Sequence, residues 1–340
     1  MASSAILSIK PLGFLWETKN PFLFCAHHND AYPRGNDSLG PDTSLTGRNL
    51  GNDFTVKDGW RMYHGRKVPG FPAHPHRGFE TVTIVLEGFI DHSDSLSAAC
   101  RYGNGDVQWM AAGKGVQHSE MFPLLNKDKD NPLELFQIWL NLPSSGKSAE
   151  PDYLMFWKED IPVHTTEDNE GRKTEITLIA GKSGDKRALQ PPSVSWAADV
   201  SNEVNIWIIN MEPGSEYELA ASKADVSRVL YFYSGNSIRV AGEEILSGSS
   251  IELKSDIQVI LQSGPEHCSL LMLQGKAINE PVVQYGPFVV NTKKEIQETL
   301  DEYNRTQFGG WPWPENEQVH DRYSGRFAKY PDGRNETRPF

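Results

Sequence analysis

Short stretches of alternating apolar and polar residues run along most of the chain, and they predict β-strands. In the clearest stretch, residues 80–86, apolar side chains occupy every second position. Because side chains of a strand point alternately to its two faces, this pattern predicts a strand with one face lining a barrel. The same parity extends back to His74 and His76, whereas Thr81 and Thr83 have the opposite one.

Similar runs recur through both halves of the chain, separated by turns rich in glycine and proline. In the first half they predict short opening strands within residues 5–24 and further strands at 90–97, 107–110, 117–121, 135–142 and 174–180. In the second half they predict strands at 204–211, 229–233, 237–240, 250–253, 257–261 and 270–273. Strands that recur about every 8–12 residues are typical of sandwiches and barrels. The sequence therefore predicts an all-β protein with two such domains.

The composition divides the chain into three parts. Residues 181–192 combine glycines, charges and a double proline, which is typical of a domain boundary. We therefore expect an N-terminal domain at 1–180, a C-terminal domain at 181–290, and a helix with an extended tail at 291–340.

One amphipathic helix is predicted near the C-terminus. Thr292 and Glu295 fit a capping box, and Ile296 and Leu300 fall on one helical face. The segment that follows, to Phe340, is polar, and we expect it to lie over the surface or to be mobile.

Residues 29–69 are rich in Asn, Asp, Gly, Pro and Ser and predict a long loop or lid, an insertion at 30–68 within the N-terminal domain. The segment carries His64. Two interpretations remain open: the insertion shields a site from water, or it is solvated and has no role.

The overall composition narrows the function classes. A net charge of -12 at pH 7 argues against direct binding to nucleic acids or to anionic membranes. The start of the chain has neither a basic leader nor a long apolar run, so no signal peptide or membrane span is predicted there. Cys25, Cys100 and Cys268 are odd in number and lack metal-type spacing, which fits a reducing compartment. We therefore expect a cytoplasmic protein with an intracellular substrate or protein partner.

Two pairs of ligand-type residues stand out against this background. His74 and His76 are two residues apart, as are His118 and Glu120, so each pair presents its donors on one face of a strand. If the two strands face each other, four donors converge on one ion. Glu80 has the same parity as the first pair, so spacing alone leaves either glutamate as the oxygen ligand, and Gly78 offers a bulge that turns Glu80 elsewhere.

The donor set predicts the type of metal. Three imidazoles and one carboxylate without a thiolate suit Fe(II), Mn, Ni, Cu or Zn and exclude an iron–sulfur cluster. With four protein ligands, an octahedral ion keeps two positions for a bidentate substrate or for substrate beside dioxygen.

Three longer motifs resemble the pirin family within the cupin superfamily. They are HPHRGFETVTIVLEG, GDVQWMAAGKGVQHSEM and LFQIWLNLP, and residues 282–291 with the helix after them resemble the family's C-terminal part. The resemblance implies two cupin barrels (double-stranded β-helix, jelly-roll) face to face, with one iron, as Fe(II), in the N-terminal barrel. It further implies that His74, His76, His118 and Glu120 are the ligands and that Glu80 is not.

The second barrel lacks a matching motif. Where a histidine pair is expected, the sequence has Glu216 and Glu218, which we interpret as solvated, and His267 stands alone. We expect a degenerate barrel without a metal. The insertion at 30–68 and the tail after Trp311 are longer than in typical pirins. Both can change the access to the metal, so the substrate of this protein does not follow from the family resemblance.

The resemblance implies two classes of function. The first is a dioxygenase similar to quercetin 2,3-dioxygenases, which cleaves a flavonol or similar enediol with dioxygen; there Glu120 is a ligand and also a candidate base. The second is a metal- and redox-responsive regulator that binds a transcription factor or metabolic enzyme. A third, plainer option is a storage or structural cupin. For the enzyme, candidate wall residues of the pocket are Trp109, Met110, Phe122, Phe136, Gln137 and Trp139, although core packing is the favoured role for most of them.

Overall fold

The computed structural model describes residues 5–340, and short strands dominate them. The opening residues 1–4 of the predicted first strand lie outside the described residues. The first strands are β1 (Ile6–Pro11), β2 (Leu15–Trp16), β3 (Phe22–Tyr32), β4 (Gly70–His76), β5 (Phe79–Glu87), β6 (Phe89–Asp94), β7 (Ala99–Gly103), β8 (Val107–Ala111), β9 (Val116–Met121), β10 (Asn131–Asn141), β11 (Asp152–Phe156), β12 (Val163–Glu167) and β13 (Lys173–Ala180).

The remaining strands continue at the predicted rhythm. They are β14 (Lys182–Ser183), β15 (Lys186–Arg187), β16 (Asn205–Met211), β17 (Glu216–Leu219), β18 (Val226–Ser234), β19 (Ser237–Val240), β20 (Glu243–Leu246), β21 (Ser249–Lys254), β22 (Val259–Ser263), β23 (Cys268–Lys276), β24 (Val283–Tyr285), β25 (Phe288–Val290), β26 (Arg326–Lys329) and β27 (Asn335–Arg338). The helices are α1 (Ser144–Lys147) and α2 (Lys293–Thr306), with 3-10 turns at Trp196–Ala198, Val200–Asn202 and Gln307–Gly309. The all-β prediction is confirmed.

Contacts divide the chain into two units whose boundaries differ from those expected from composition. Unit 1 comprises residues 5–26, 138–141 and 159–279, and unit 2 comprises the remainder. The change of composition at 181–192 therefore falls inside unit 1. The reason is strand pairing: β1 pairs with β21, late in the chain, so the N-terminal strand joins the second-half sheet.

Unit 1 is built from two antiparallel sheets around an apolar core. The larger sheet has the order β1-β21-β18-β23-β16-β13-β12, and the smaller one has the order β17-β22-β19-β20. Inward-facing residues of both sheets, such as Ile209, Leu230 and Leu261, are completely buried. Glu216 and Glu218 point outward and are exposed, as predicted.

Unit 2 is likewise built from two sheets. One has the order β27-β26-β7-β6-β9-β4, and the other contains β11, β8, β5, β10 and β3 in that order. Its core includes Tyr102, Met110 and Leu135, each at most 2% exposed. The strands of both histidine motifs, β4 and β9, are neighbours at one end of the first sheet.

The insertion is a packed segment rather than a solvated loop. Strand β3 continues to Tyr32, and the following residues to Pro69 form isolated bridges but no named strand. Trp60 and Met62, from this segment, are buried in the core of unit 2. Arg61 donates from Nε to Oδ1 of Asp30 at 3.0 Å, which ties the segment to β3.

The C-terminal prediction is half right. The capping box at Thr292 and Glu295 is present, and α2 follows it. The tail, however, is neither a simple surface covering nor loose: β26 pairs with β7, and Phe327 and Ala328 are buried. No helix in the described part of the chain is both long and apolar enough to cross a membrane.

A buried ion pair attaches the tail strand. Arg326, 1% exposed, donates from Nε to Oδ2 of Asp106 at 2.8 Å, and a second bond makes the pair bidentate. Asp106 also accepts from the backbone N–H groups of Gly103 and Lys158. The carboxylate is thus fully enclosed by donors.

Replacing Arg326 by Met should destabilise the protein by about 3–5 kcal/mol, because Asp106 keeps its buried charge without the cation. Urea denaturation measures the change in the free energy of unfolding. The exposed Arg239 on β19 offers a matched control, and Arg239→Met should change stability by less than about 0.5 kcal/mol. Equally small changes in both variants would contradict a clamping role for Arg326.

Candidate metal centre

The two histidine motifs lie on neighbouring antiparallel strands. In the pairing of β4 with β9, His74 lies directly opposite His118, and the register shifts between Phe71 and His74. Residues opposite each other across a ladder share one face of the sheet. The predicted meeting of the two motifs is therefore seen in the structure.

The three imidazoles converge through their Nε2 atoms. Nε2 of His74 lies 3.0 Å from Nε2 of His76 and 3.1 Å from Nε2 of His118. His118 is completely buried, and His76 is 3% exposed. These three residues form a cluster in which one nitrogen of each ring lies within 4.8 Å of the others.

The outer nitrogen of His74 shows which of its ring atoms carries the lone pair. Nδ1 of His74 lies 2.8 Å from the carbonyl oxygen of Pro72. Because a carbonyl only accepts, this ring donates its outer N–H, and the neutral ring then has a lone pair at Nε2.

Burial keeps these rings neutral. It lowers the pKa of His74 to about 4 and the pKa of His76 and His118 well below the usual value. Lone pairs facing each other at 3.0 Å repel unless a cation lies among them. The all-nitrogen convergence thus fits a divalent transition metal ion, and the carbonyl of Pro72 fixes the ring of His74.

Glu120 lies beside this cluster. Its Oε2 is 3.6 Å from Nε2 of His118 and accepts a hydrogen bond of 2.9 Å from Nε2 of Gln137. Its Oε1 lies 3.2 Å from the hydroxyl of Thr83. Burial raises the pKa of Glu120 to about 7, since the charged form loses its hydration. Two side chains therefore orient this carboxylate, and near neutral pH its protonated and ionised forms are both populated.

Glu80 lies away from the histidine cluster, because His76 and Glu80 belong to two different strands and not to one continuous strand. β4 ends at His76, and Gly78 then turns the chain with φ +82° into β5, in the other sheet. Glu80 is completely buried and accepts a hydrogen bond of 3.0 Å from the indole of Trp109. The predicted continuity of parity across Gly78 was wrong: the face of β5 that meets Glu120 is the one bearing Thr83.

Sequence patterns missed two residues near the cluster. Thr83 was expected on the strand face opposite to His74 and His76, because the turn at Gly78 was not included in the alternation. His92, completely buried, lies opposite Glu120 in the pairing of β6 with β9, and its ring centroid is 5.3 Å from that of His118. The signal was present, since His92 and Asp94 repeat the spacing of two donors on one strand face.

The insertion supplies aromatic rings beside the centre. Phe54 and His64 pack on Phe71 with centroid distances of 6.4 and 5.7 Å, and Phe71 lies 6.3 Å from His74. Of the proposed wall residues, four are core residues at most 3% exposed: Trp109, Met110, Phe122 and Phe136. Trp139 packs on Phe24 at 5.0 Å, whereas half-buried Gln137 contacts Glu120.

Comparison with known proteins places the chain in a family. The Pirin model matches residues 16–140, and the model of the Pirin C-terminal cupin domain matches residues 206–309. Pirin-like protein 2 of Arabidopsis thaliana is 35% identical over 237 residues, which are 69% of this chain and 70% of the relative. A Pseudomonas aeruginosa protein named "Putative quercetin 2,3-dioxygenase" is 33% identical over 241 residues, 70% of this chain and 79% of that protein.

A solved structure with a similar fold carries the same type of name as the bacterial relative. The crystal structure of a quercetin 2,3-dioxygenase from Acinetobacter baumannii matches with a TM-score of 0.69 and 25% identity, covering 90% of this chain and 98% of that one. Because the family models match both halves of the chain, the chain belongs to the pirin family of cupin proteins.

Proposed function

We propose that the protein is a metal-dependent dioxygenase that resembles quercetin 2,3-dioxygenases and acts on a flavonol or similar enediol. The proposal rests chiefly on the convergence of three neutral imidazole Nε2 atoms, from half-buried His74 and buried His76 and His118, beside the carboxylate of Glu120. The names of the bacterial relatives and of the similar crystal structure support the reaction class.

The ligands in this proposal are His74, His76, His118 and Glu120. Their nitrogen and oxygen donors accept Fe(II), Mn, Ni, Cu and Zn, and we assign Fe(II) as the resident ion. When bound, such an ion supplies Lewis acidity and a template for substrate and dioxygen. Glu80 takes no part, since its carboxylate is bonded to Trp109.

The protein itself contributes a positioned base. The carboxylate of Glu120, 3.6 Å from Nε2 of His118, can take the proton of an enediol hydroxyl at the centre. The Gln137 amide holds Oε2, and the Thr83 hydroxyl stands beside Oε1, so the carboxylate has one defined orientation. The rings of Phe71 and Phe54 limit the access of water and offer flat apolar surface to an aromatic substrate.

Replacing His118 by Ala should abolish stoichiometric metal binding, because a ring that lies close to both His74 and Glu120 is lost. Elemental analysis of purified protein by inductively coupled plasma mass spectrometry measures the metal-to-protein ratio. The exposed His267 of unit 1 gives a matched control, and His267→Ala should keep the wild-type ratio. An unchanged metal content in His118→Ala would refute the site.

The two glutamates can be separated by isosteric substitution. Glu120→Gln should weaken metal binding by at least about tenfold, the lower range for changes around a metal centre. Glu80→Gln should leave it unchanged, because an amide oxygen still accepts from Trp109. Competition with a metal-binding dye gives both affinities. Equal losses in the two variants, or none in either, would overturn the assignment of Glu120.

Aerobic turnover tests the reaction itself. Protein loaded with Fe(II) and assayed for its metal should consume dioxygen with at least one member of a flavonol panel, and Glu120→Gln should lose most of that rate. An oxygen electrode measures consumption, and a monohydroxyflavone without the enediol serves as control substrate. Full metal content without oxygen consumption on any enediol would instead favour the regulator, in which the metal changes a surface that a protein partner recognises.

A further inference from the structure

The interior of unit 1 ends in a row of polar side chains. Asn205 on β16 lies opposite Gln274 on β23, which lies opposite Arg228 on β18. Residues opposite each other on neighbouring strands share a face of the sheet. Two residues further along, Trp207 and Leu230 have the same parity and belong to the buried core. The polar row therefore closes one end of the apolar interior.

Arg228 is fixed in this row. It is 3% exposed, its Nε donates to Oε1 of Gln274 at 2.6 Å, and its Nη1 donates to the carbonyl oxygen of Ala220 at 3.0 Å. Gln274 in turn donates from Nε2 to the backbone carbonyl of Glu203 at 3.4 Å. A guanidinium has five N–H donors, so these bonds orient it and leave further donors for another partner.

Arg228 makes no contact ion pair. Among residues 5–340, no carboxylate oxygen lies within 4.0 Å of its guanidinium nitrogens, and the charge of Glu203 attracts the guanidinium only over a longer distance. The carboxylate of Glu203 bonds Lys223 at 2.9 Å and the hydroxyl of Ser222. Burial lowers the pKa of Arg228 to about 10, so the group is still charged at neutral pH. A buried charge without a partner is costly, and a bound anion would relieve that cost.

Arg228 lines a cavity of about 610 Å³ that lies entirely within unit 1. This volume is in the range of small-molecule sites. The rings of Trp207 and Tyr217 form part of its wall. Charged side chains of both signs line it as well, namely Lys182, Arg187, Glu203 and Glu218. The cavity thus combines flat apolar walls with one buried guanidinium that has no contacting carboxylate.

We propose that this cavity binds a small organic carboxylate with a planar apolar body, whose carboxylate group pairs with Arg228. A single guanidinium matches a monoanion, and the aromatic walls accommodate an organic body rather than a hydrated inorganic ion. The site uses no residue of the candidate metal centre, so it stands independently of the proposed oxygenase reaction.

Calorimetric titration with benzoate, the simplest planar aromatic carboxylate, tests the proposal. Benzoate should bind the full-length protein at one site, and the uncharged benzamide should bind at least about tenfold more weakly, since a hydrogen bond to a charged group contributes about 1.5–3 kcal/mol. Benzamide binding as tightly as benzoate, or the absence of benzoate binding, would overturn the proposal.

Variants locate the binding. Arg228→Met should weaken benzoate binding by about tenfold to a hundredfold, whereas Arg239→Met, on an exposed arginine of the same unit, should not change it. Arg228→Lys retains a positive charge and should bind with intermediate affinity, which keeps the test valid if the Met variant does not fold. Unchanged affinity in the folded Arg228 variants would refute the site.

A final variant separates this site from the metal centre. Carboxylates also bind metal ions, so the titration is repeated on His118→Ala protein. Benzoate binding that persists there supports the unit 1 site, whatever the outcome for the metal. Loss of binding in His118→Ala would assign the carboxylate to the other centre and contradict the proposal.

Discussion

The structure of the candidate centre depends on removing three imidazoles from water while their lone pairs face one another. In water each ring would take up a proton near its ordinary pKa or turn toward solvent. Burial disfavours the charged form, and the carbonyl of Pro72 fixes the outer N–H of His74, so the lone pairs point inward at about 3 Å. Such an arrangement is costly by itself and becomes favourable when a cation is shared. Burial thus creates the binding site.

The strand arrangement supplies this burial. β9 lies between β4 and β6, and it is therefore covered on both edges by hydrogen-bonded neighbours. Gly78 then makes the tight turn that takes the chain into the other sheet; a Cβ there would lie 1.8 Å from the carbonyl oxygen of Val289. This turn separates the two glutamates. It keeps Glu80 in the core with Trp109 and leaves Thr83 beside Glu120.

Local sequence patterns predicted the strands and the converging histidines. They failed where contacts between distant parts of the chain determine the position or burial of a residue. The two-residue spacing of His74 with His76 identified the strand face correctly, because that spacing is a property of an extended backbone. The alternation of side chains does not continue through Gly78, because its positive φ ends one strand and starts another in a different direction. The composition of residues 29–69 left open a lid that shields a site or a solvated loop without a role, but Trp60 and Met62 contribute to the core, which depends on distant strands. The row of Asn205, Gln274 and Arg228 is visible only once the register is known.

The two units use the same architecture for different purposes. In unit 2 the interior gathers neutral donors for which we propose a cation, and in unit 1 it holds a guanidinium for which we propose an organic anion. X-ray absorption spectroscopy of the Fe(II)-loaded protein examines the first of these sites. We expect a first shell of nitrogen and oxygen only, with the outer-shell scattering of three imidazoles from the converging histidines. A sulfur shell, or scattering from a single imidazole, would contradict this expectation.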